Sequence, residues 1–179
     1  MARTALIGAV VMLLTALVVV GGAPLGITTV WPVLLAIGVG LAARPVTIGR
    51  IAAYGIGAAA AWAAIALGAG ALPQTAIADA IAVLAALLVL TTIAAVTADR
   101  FPLWAGLAGY AAFAGYYEPI HAANPTLFLT ESPVALLTVL LAGAIGFAIA
   151  GVADLLTAGV SEPQSTVDDH ALMIEGEAL

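Results

Sequence analysis

No cysteine and no lysine occur among the 179 residues, and only 8% of the chain is charged. The first absence excludes disulfides, thiolate metal sites and a cysteine nucleophile. The second leaves four arginines, Arg3, Arg44, Arg50 and Arg100, against ten acids, and a net charge of −6 argues against nucleic acid as a partner. An acidic chain without lysine suits a salty cytoplasm, where surface acids hold water, so a halophilic host is expected. Catalytic signatures are missing as well. No serine sits in a nucleophile elbow, no two histidines share a helix face, and no glycine-rich loop precedes a basic residue. The chain is therefore not read as an enzyme, and no cofactor or metal is expected.

What is abundant is apolar: 64% of the residues are hydrophobic, far beyond the composition of a soluble domain. A hydrocarbon core of about 30 Å takes about 20 apolar residues as a helix. Six charge-poor runs meet or approach that length, Ala5 to Val20, Leu25 to Ala43, Ile51 to Leu72, Ile77 to Thr97, Leu103 to Tyr117 and Pro133 to Leu156. Turn or helix-start chemistry separates them, "GGAP" at 21, "RPVTIGR" at 44, "LPQT" at 72, "DRFP" at 99 and "ESP" at 131. In the last of these Ser132 is placed as an N-cap and Pro133 as the first helical residue. The expected fold class is all-α, a polytopic bundle of six transmembrane helices over residues 1–157. A secretory signal is the alternative for the first run, since Arg3 precedes it and small residues follow, but the run is long for a signal.

Arginines favour the cytoplasmic side of short loops. With the N-terminus inside, Arg3, the Arg44/Arg50 loop and the Arg100 loop all fall on that side, and the other loops carry no basic residue. Both termini are then cytoplasmic in a multi-pass plasma-membrane protein, and the acidic tail 158–179 is expected to be disordered.

Lipid supplies no hydrophobic drive for helix association, so small residues that let backbones approach must do so. Gly55 in the third run, Gly106 and Gly109 in the fifth, and Gly143 and Gly146 in the sixth are the candidates for packing inside the bundle. The same faces are available to join subunits of a homo-oligomer. Trp31 and Trp104 stand near span ends, as interfacial rings do, whereas Trp62 lies in the middle of its span, where its indole N–H needs a partner or lines a polar path.

No ionisable residue falls at mid-bilayer depth, the usual mark of a pump. Asp79 and Asp154 lie near span ends and are expected to be interfacial anchors, Asp154 with Arg100 as an available partner. The spans do offer hydroxyls at Thr15, Thr91, Thr92, Thr138, Tyr54 and Tyr110. The polar stretch "FAGYYEPIHAANP" at 113 reads as the end of the fifth span, with Tyr116 and Tyr117 in an interfacial belt, followed by a long external loop from Glu118 to Ser132. Glu118 and His121 could hang in solvent or fold over the bundle mouth. With Glu131 they match no metal-ligand spacing. Tyr54, Trp62, Tyr110, Glu118 and His121 are the candidate pore or mouth residues.

The segments "FPLWAGLAGYAAFAG" and "LLAGAIGFAIAG", with Pro102, Gly106, Phe113, Gly115, Gly143, Gly146 and Phe147, resemble the C-terminal half of a family of small uncharacterised inner-membrane proteins, domain of unknown function 1097. The resemblance covers about a third of the chain and implies no activity. Three spans per half also invite an inverted repeat, and "APLG" at 23 and "FPLW" at 101 open the second and fifth spans on opposite faces. The leading expectation is a channel or facilitator for a small neutral solute. The competing one is a non-transporting membrane subunit that scaffolds or regulates a partner protein.

Overall fold

The computed structural model describes residues 2–21, 30–42, 44–73 and 75–157, and among these every regular element is helical. In chain order they are α1 (Ala2–Gly21), α2 (Trp31–Ala42), α3 (Ile48–Gly70), α4 (Ala76–Val96), α5 (Leu103–Ala123) and α6 (Phe128–Thr157), with a 3-10 turn at Pro125–Leu127 before α6. The start of the expected second span at Leu25 and the acidic tail from 158 lie outside the described residues. Three stretches are long and apolar enough to cross a membrane, Ile48–Gly70, Ala76–Val96 and Pro125–Leu156. The chain is thus an all-helical membrane protein. The apolar stretches Leu6–Val18 and Trp31–Ala42 are shorter, and α5 is diluted by Tyr116, Tyr117, Glu118 and His121.

The helix ends follow local chemistry. Thr75 caps α4, its hydroxyl accepting from the Ala78 N–H at 3.3 Å, and Asp79 in the first turn complements the positive end of the helix dipole. At the other end of α4 the Asp99 N–H reaches the Ala94 carbonyl and the Ala98 N–H reaches Ala95. That is a Schellman closure, with Ala98 (φ 47°) and Asp99 (φ 58°) in the left-handed region that glycine usually occupies. α5 stops at Ala123 because Asn124 precedes Pro125 and is pushed out of the helical region, to φ −143° and ψ 74°.

The long external loop is overturned. α5 continues through Pro119 to Ala123 and α6 begins at Phe128, so Glu118 and His121 are helical and only Asn124 and the 3-10 turn connect the two helices. Ser132 and Pro133, expected at a helix start, lie inside α6. Proline within a helix costs about 3 kcal/mol in water, but the local turn signal is outweighed by an aromatic cluster. Phe113, Tyr117 and His121, spaced four apart on one face of α5, stack in series with centroids 5.5 and 5.9 Å apart. Phe128 of α6 meets Tyr117 and His121 edge-on, and Trp62 of α3 stacks on Phe128. Tyr117, expected in an interfacial belt, is instead fully buried at the centre of this cluster.

The helix directions can be read from their contacts. α3 and α5 run parallel: Gly57 lies against Gly106 and Gly109 against Tyr54, while farther along Ala64–Ala69 faces Glu118–Ala122. α2 and α6 also run parallel, Gly146 lying against Val33, Ala36 and Ile37, and Gly40 against Phe147 and Ala150. α3 opposes α6, since Tyr54 meets Gly143 and Phe147 whereas Trp62 meets Phe128 and Ser132. A Cβ on Gly57 would run into the Gly106 carbonyl, and one on Gly109 into that of Tyr54. The approach of α3 to α5 is thus backbone on backbone, where dispersion and Cα–H···O contacts replace the missing hydrophobic drive. Gly146 lets α6 approach the α2 backbone at Val33 and Ile37 in the same way, Gly143 makes room for the Tyr54 ring, and Gly55 faces Leu140 at ordinary distance. Asp154 pairs with Arg44, not Arg100. The Nε–Oδ1 separation of 3.2 Å joins the ends of α2 and α6, as an ion pair and not as an aligned hydrogen bond.

Candidate functional site

α3, α4 and α5 splay apart toward the C-terminal ends of α3 and α5, and a cleft of about 420 Å³ opens between them. The walls are built from small residues, Ala64, Gly68 and Ala69 of α3 and Ala82 of α4, which leave space because they have no bulk to fill it. Polar groups come mainly from α5. Tyr110, Glu118 and Ala122 follow one another at intervals of eight and four positions, one stripe of a helix, and His121 lies beside them. α4 adds Asp79, whose Oδ1 lies next to Gly68. A Cβ at position 68 would lie 3.7 Å from that oxygen, in ordinary contact.

His121 belongs to two environments. One ring face stacks on Tyr117 and its edge meets Phe128, while the residue also lines the cleft. Its Nδ1 is buried with no hydrogen-bond partner. The cleft therefore presents two carboxylates, a phenol and an imidazole, and no arginine among the described residues that line it. Such a set attracts cations, accepts hydrogen bonds from neutral solutes and repels anions. The volume lies within the usual range of small-molecule sites. Among the described residues no three His, Asp or Glu side chains converge as metal ligands.

Of the five candidate mouth residues, Tyr110, Glu118 and His121 come together here. Tyr54 and Trp62 do not line the cleft. Trp62 donates its indole N–H to the hydroxyl of the fully buried Ser132 at 2.9 Å, so it joins α3 to α6. Tyr54, 2% exposed, packs edge-on against Phe147, and its hydroxyl is buried without a partner. The hydroxyls of Thr91, Thr92 and Thr138 donate to carbonyls four residues back in their own helices. Asp79 was missed as a site residue because position 79 alone reads as a helix-start acid. The 110/114/118/122 stripe would have pointed to the cleft had α5 been read through Pro119. No protein-family model, curated protein or solved structure matches the chain.

Proposed function

We propose that the protein spans the plasma membrane six times with both termini cytoplasmic, and that it is a channel or facilitator for a small solute that enters the α3/α4/α5 cleft. The cleft itself carries this reading: it is sized for a small molecule and lined by convergent polar groups beneath one face. Its lining extends the solute class from neutral molecules to small cations, because Asp79 and Glu118 share the cleft with His121 but with no arginine among the described lining residues. The alternation of helix directions favours six spans. Parallel α2 and α6, parallel α3 and α5, and opposed α3 and α6 are what strict up-and-down threading requires. Solute flux in reconstituted vesicles tests the function. Flux of a small neutral or cationic solute that falls in Glu118→Gln supports it, and no flux for any such solute sinks it. Topology is tested separately by thiol labelling of His121→Cys and Asp99→Cys, which six spans place on opposite faces.

A second reading, a non-transporting subunit that associates with a partner or a second copy, is favoured by one observation. A Cβ on Gly8, Gly38 or Gly151 would meet no atom of another element within 4 Å. The glycines first expected to join subunits are occupied inside the bundle, so a seam between chains would use these open positions on α1, α2 and α6.

A further inference from the structure

The two halves of the chain, α1–α3 and α4–α6, make matching contacts. α2 lies on α6 as α5 lies on α3, and α1 lies on α6 as α4 lies on α3. The pairs α2–α5 and α3–α6 map onto themselves under an exchange of halves, whereas α4–α5 and α5–α6 touch without α1–α2 or α2–α3 contacts of comparable extent among the described residues. The equivalent pairs α2/α6 and α3/α5 are both parallel and both cross at small residues. An odd number of spans per half reverses the second copy, so the exchange is a two-fold axis in the membrane plane, the inverted arrangement found in many carriers.

Under that axis the C-terminal ends of α3 and α5 correspond to those of α6 and α2, on the opposite face, and these two regions differ. Between α3, α4 and α5 lies the cleft, with Ala64, Ala82 and Ala86 on its inner side. At the matching ends of α6 and α2 the two helices stay together, Gly40 lying against Ala150, with Leu41 packed against the cluster of Val33, Ile37 and Ile149 and with Ala150 and Ala153 buried. The Arg44–Asp154 pair ties its end. At the self-matching α3–α6 contact, near the middle of α6, the Tyr54 hydroxyl is buried with nothing to bond.

We infer that the protein is an alternating-access carrier, resting on the six-span transport reading above and replacing a standing pore with two mouths that open by turns. The α3/α4/α5 cleft is the mouth open in this structure. The α2/α6 seam behind Arg44 and Asp154 is the closed one, and the Tyr54 hydroxyl between them is a polar group for the passing solute. An ion pair whose side chains are still 28% and 25% exposed suits a gate: water reaches it, so it holds one state by a modest margin and can be broken in each cycle.

The absence of cysteine gives a clean background for single-thiol reporters. Ala122→Cys reports the cleft and Leu41→Cys the opposite seam, with Ile145→Cys as a second seam reporter on α6. In vesicles, Arg44→Ala is expected to speed labelling at Leu41→Cys up to about fivefold, the population shift that such a pair can hold. Wedging the cleft beforehand with a bulky impermeant maleimide on Ala122→Cys should abolish that gain, and the exchanged pair R44D/D154R should restore slow labelling. No increase in either Arg44→Ala or Asp154→Asn overturns the proposal. So does an increase that survives the wedge, which means both mouths open at once, or one that the exchanged pair leaves in place. If Ala122→Cys and Leu41→Cys label from the same face, the six-span reading itself has failed, a result distinct from failure of alternation.

Discussion

The indole N–H of Trp62 donates to Ser132 Oγ at 2.9 Å, across 70 positions of sequence. It joins α3 to α6 with Ser132 fully buried and Trp62 partly so, and breaking it from one side leaves the other group short of a partner. Ser132→Ala is expected to cost about 1–2 kcal/mol, because an unpaired, partly buried donor carries much of its desolvation penalty. Removing both groups in W62F/S132A should cost less than the sum of the single changes. Denaturation in detergent for the four members of this cycle measures the coupling, and additive losses would remove the bond from the account.

Glycines of this chain divide by what their missing side chain would meet. Gly57→Ala and Gly109→Ala would press a methyl group into the carbonyls of Gly106 and Tyr54, forcing α3 and α5 apart at a cost of about 3 kcal/mol. Gly38→Ala on α2 meets nothing within 4 Å and should gain about 0.5–1 kcal/mol from helix propensity. Opposite signs in the two thermal shifts are the expected result.

The closure of α4 predicts a stabilising substitution. Ala98 sits at φ 47° in the position where a Schellman motif usually places glycine. There Ala98→Gly relieves a left-handed conformation costing about 1 kcal/mol. Part of the gain is lost to the greater freedom of glycine in the unfolded chain, so the net rise should be about 0.5 kcal/mol. An unchanged or lower melting temperature would contradict the left-handed geometry.

Tyr54 predicts a split between stability and transport. Its buried hydroxyl lacks a partner, so Tyr54→Phe should raise stability by about 1 kcal/mol. If that hydroxyl serves the passing solute, flux should fall in the same variant while the fold tightens. A loss of stability would show instead that the hydroxyl is bonded.

Composition determined the solvent. With 64% hydrophobic residues and four basic groups, the chain can bury its backbone only as helices in lipid, and long runs such as Ile77 to Thr97 match α4 to within a residue at either end because periodicity and capping are local. Small residues at helical spacing pointed to Gly106, Gly109, Gly143 and Gly146, which stand at helix contacts, but not to Gly40, which meets Phe147 and Ala150.

What tertiary structure decided lies mainly at the end of α5. Pro119, Glu118 and His121 read locally as a turn and a wet loop, yet stacking of Tyr117 and His121 on Phe128 continues the helix and draws the connection down to Asn124 and a single 3-10 turn. That extension sets Tyr110, Glu118 and His121 along one cleft and brings Asp79 to face them from a different helix. Nothing at position 79 or 118 announces the other, because the distance between them is set by how far Ala64, Gly68 and Ala82 let α3 and α4 approach. The choice of Arg44 over Arg100 for Asp154 has the same origin: charge type can be read along a chain, but a partner is fixed only when parallel α2 and α6 bring their ends together.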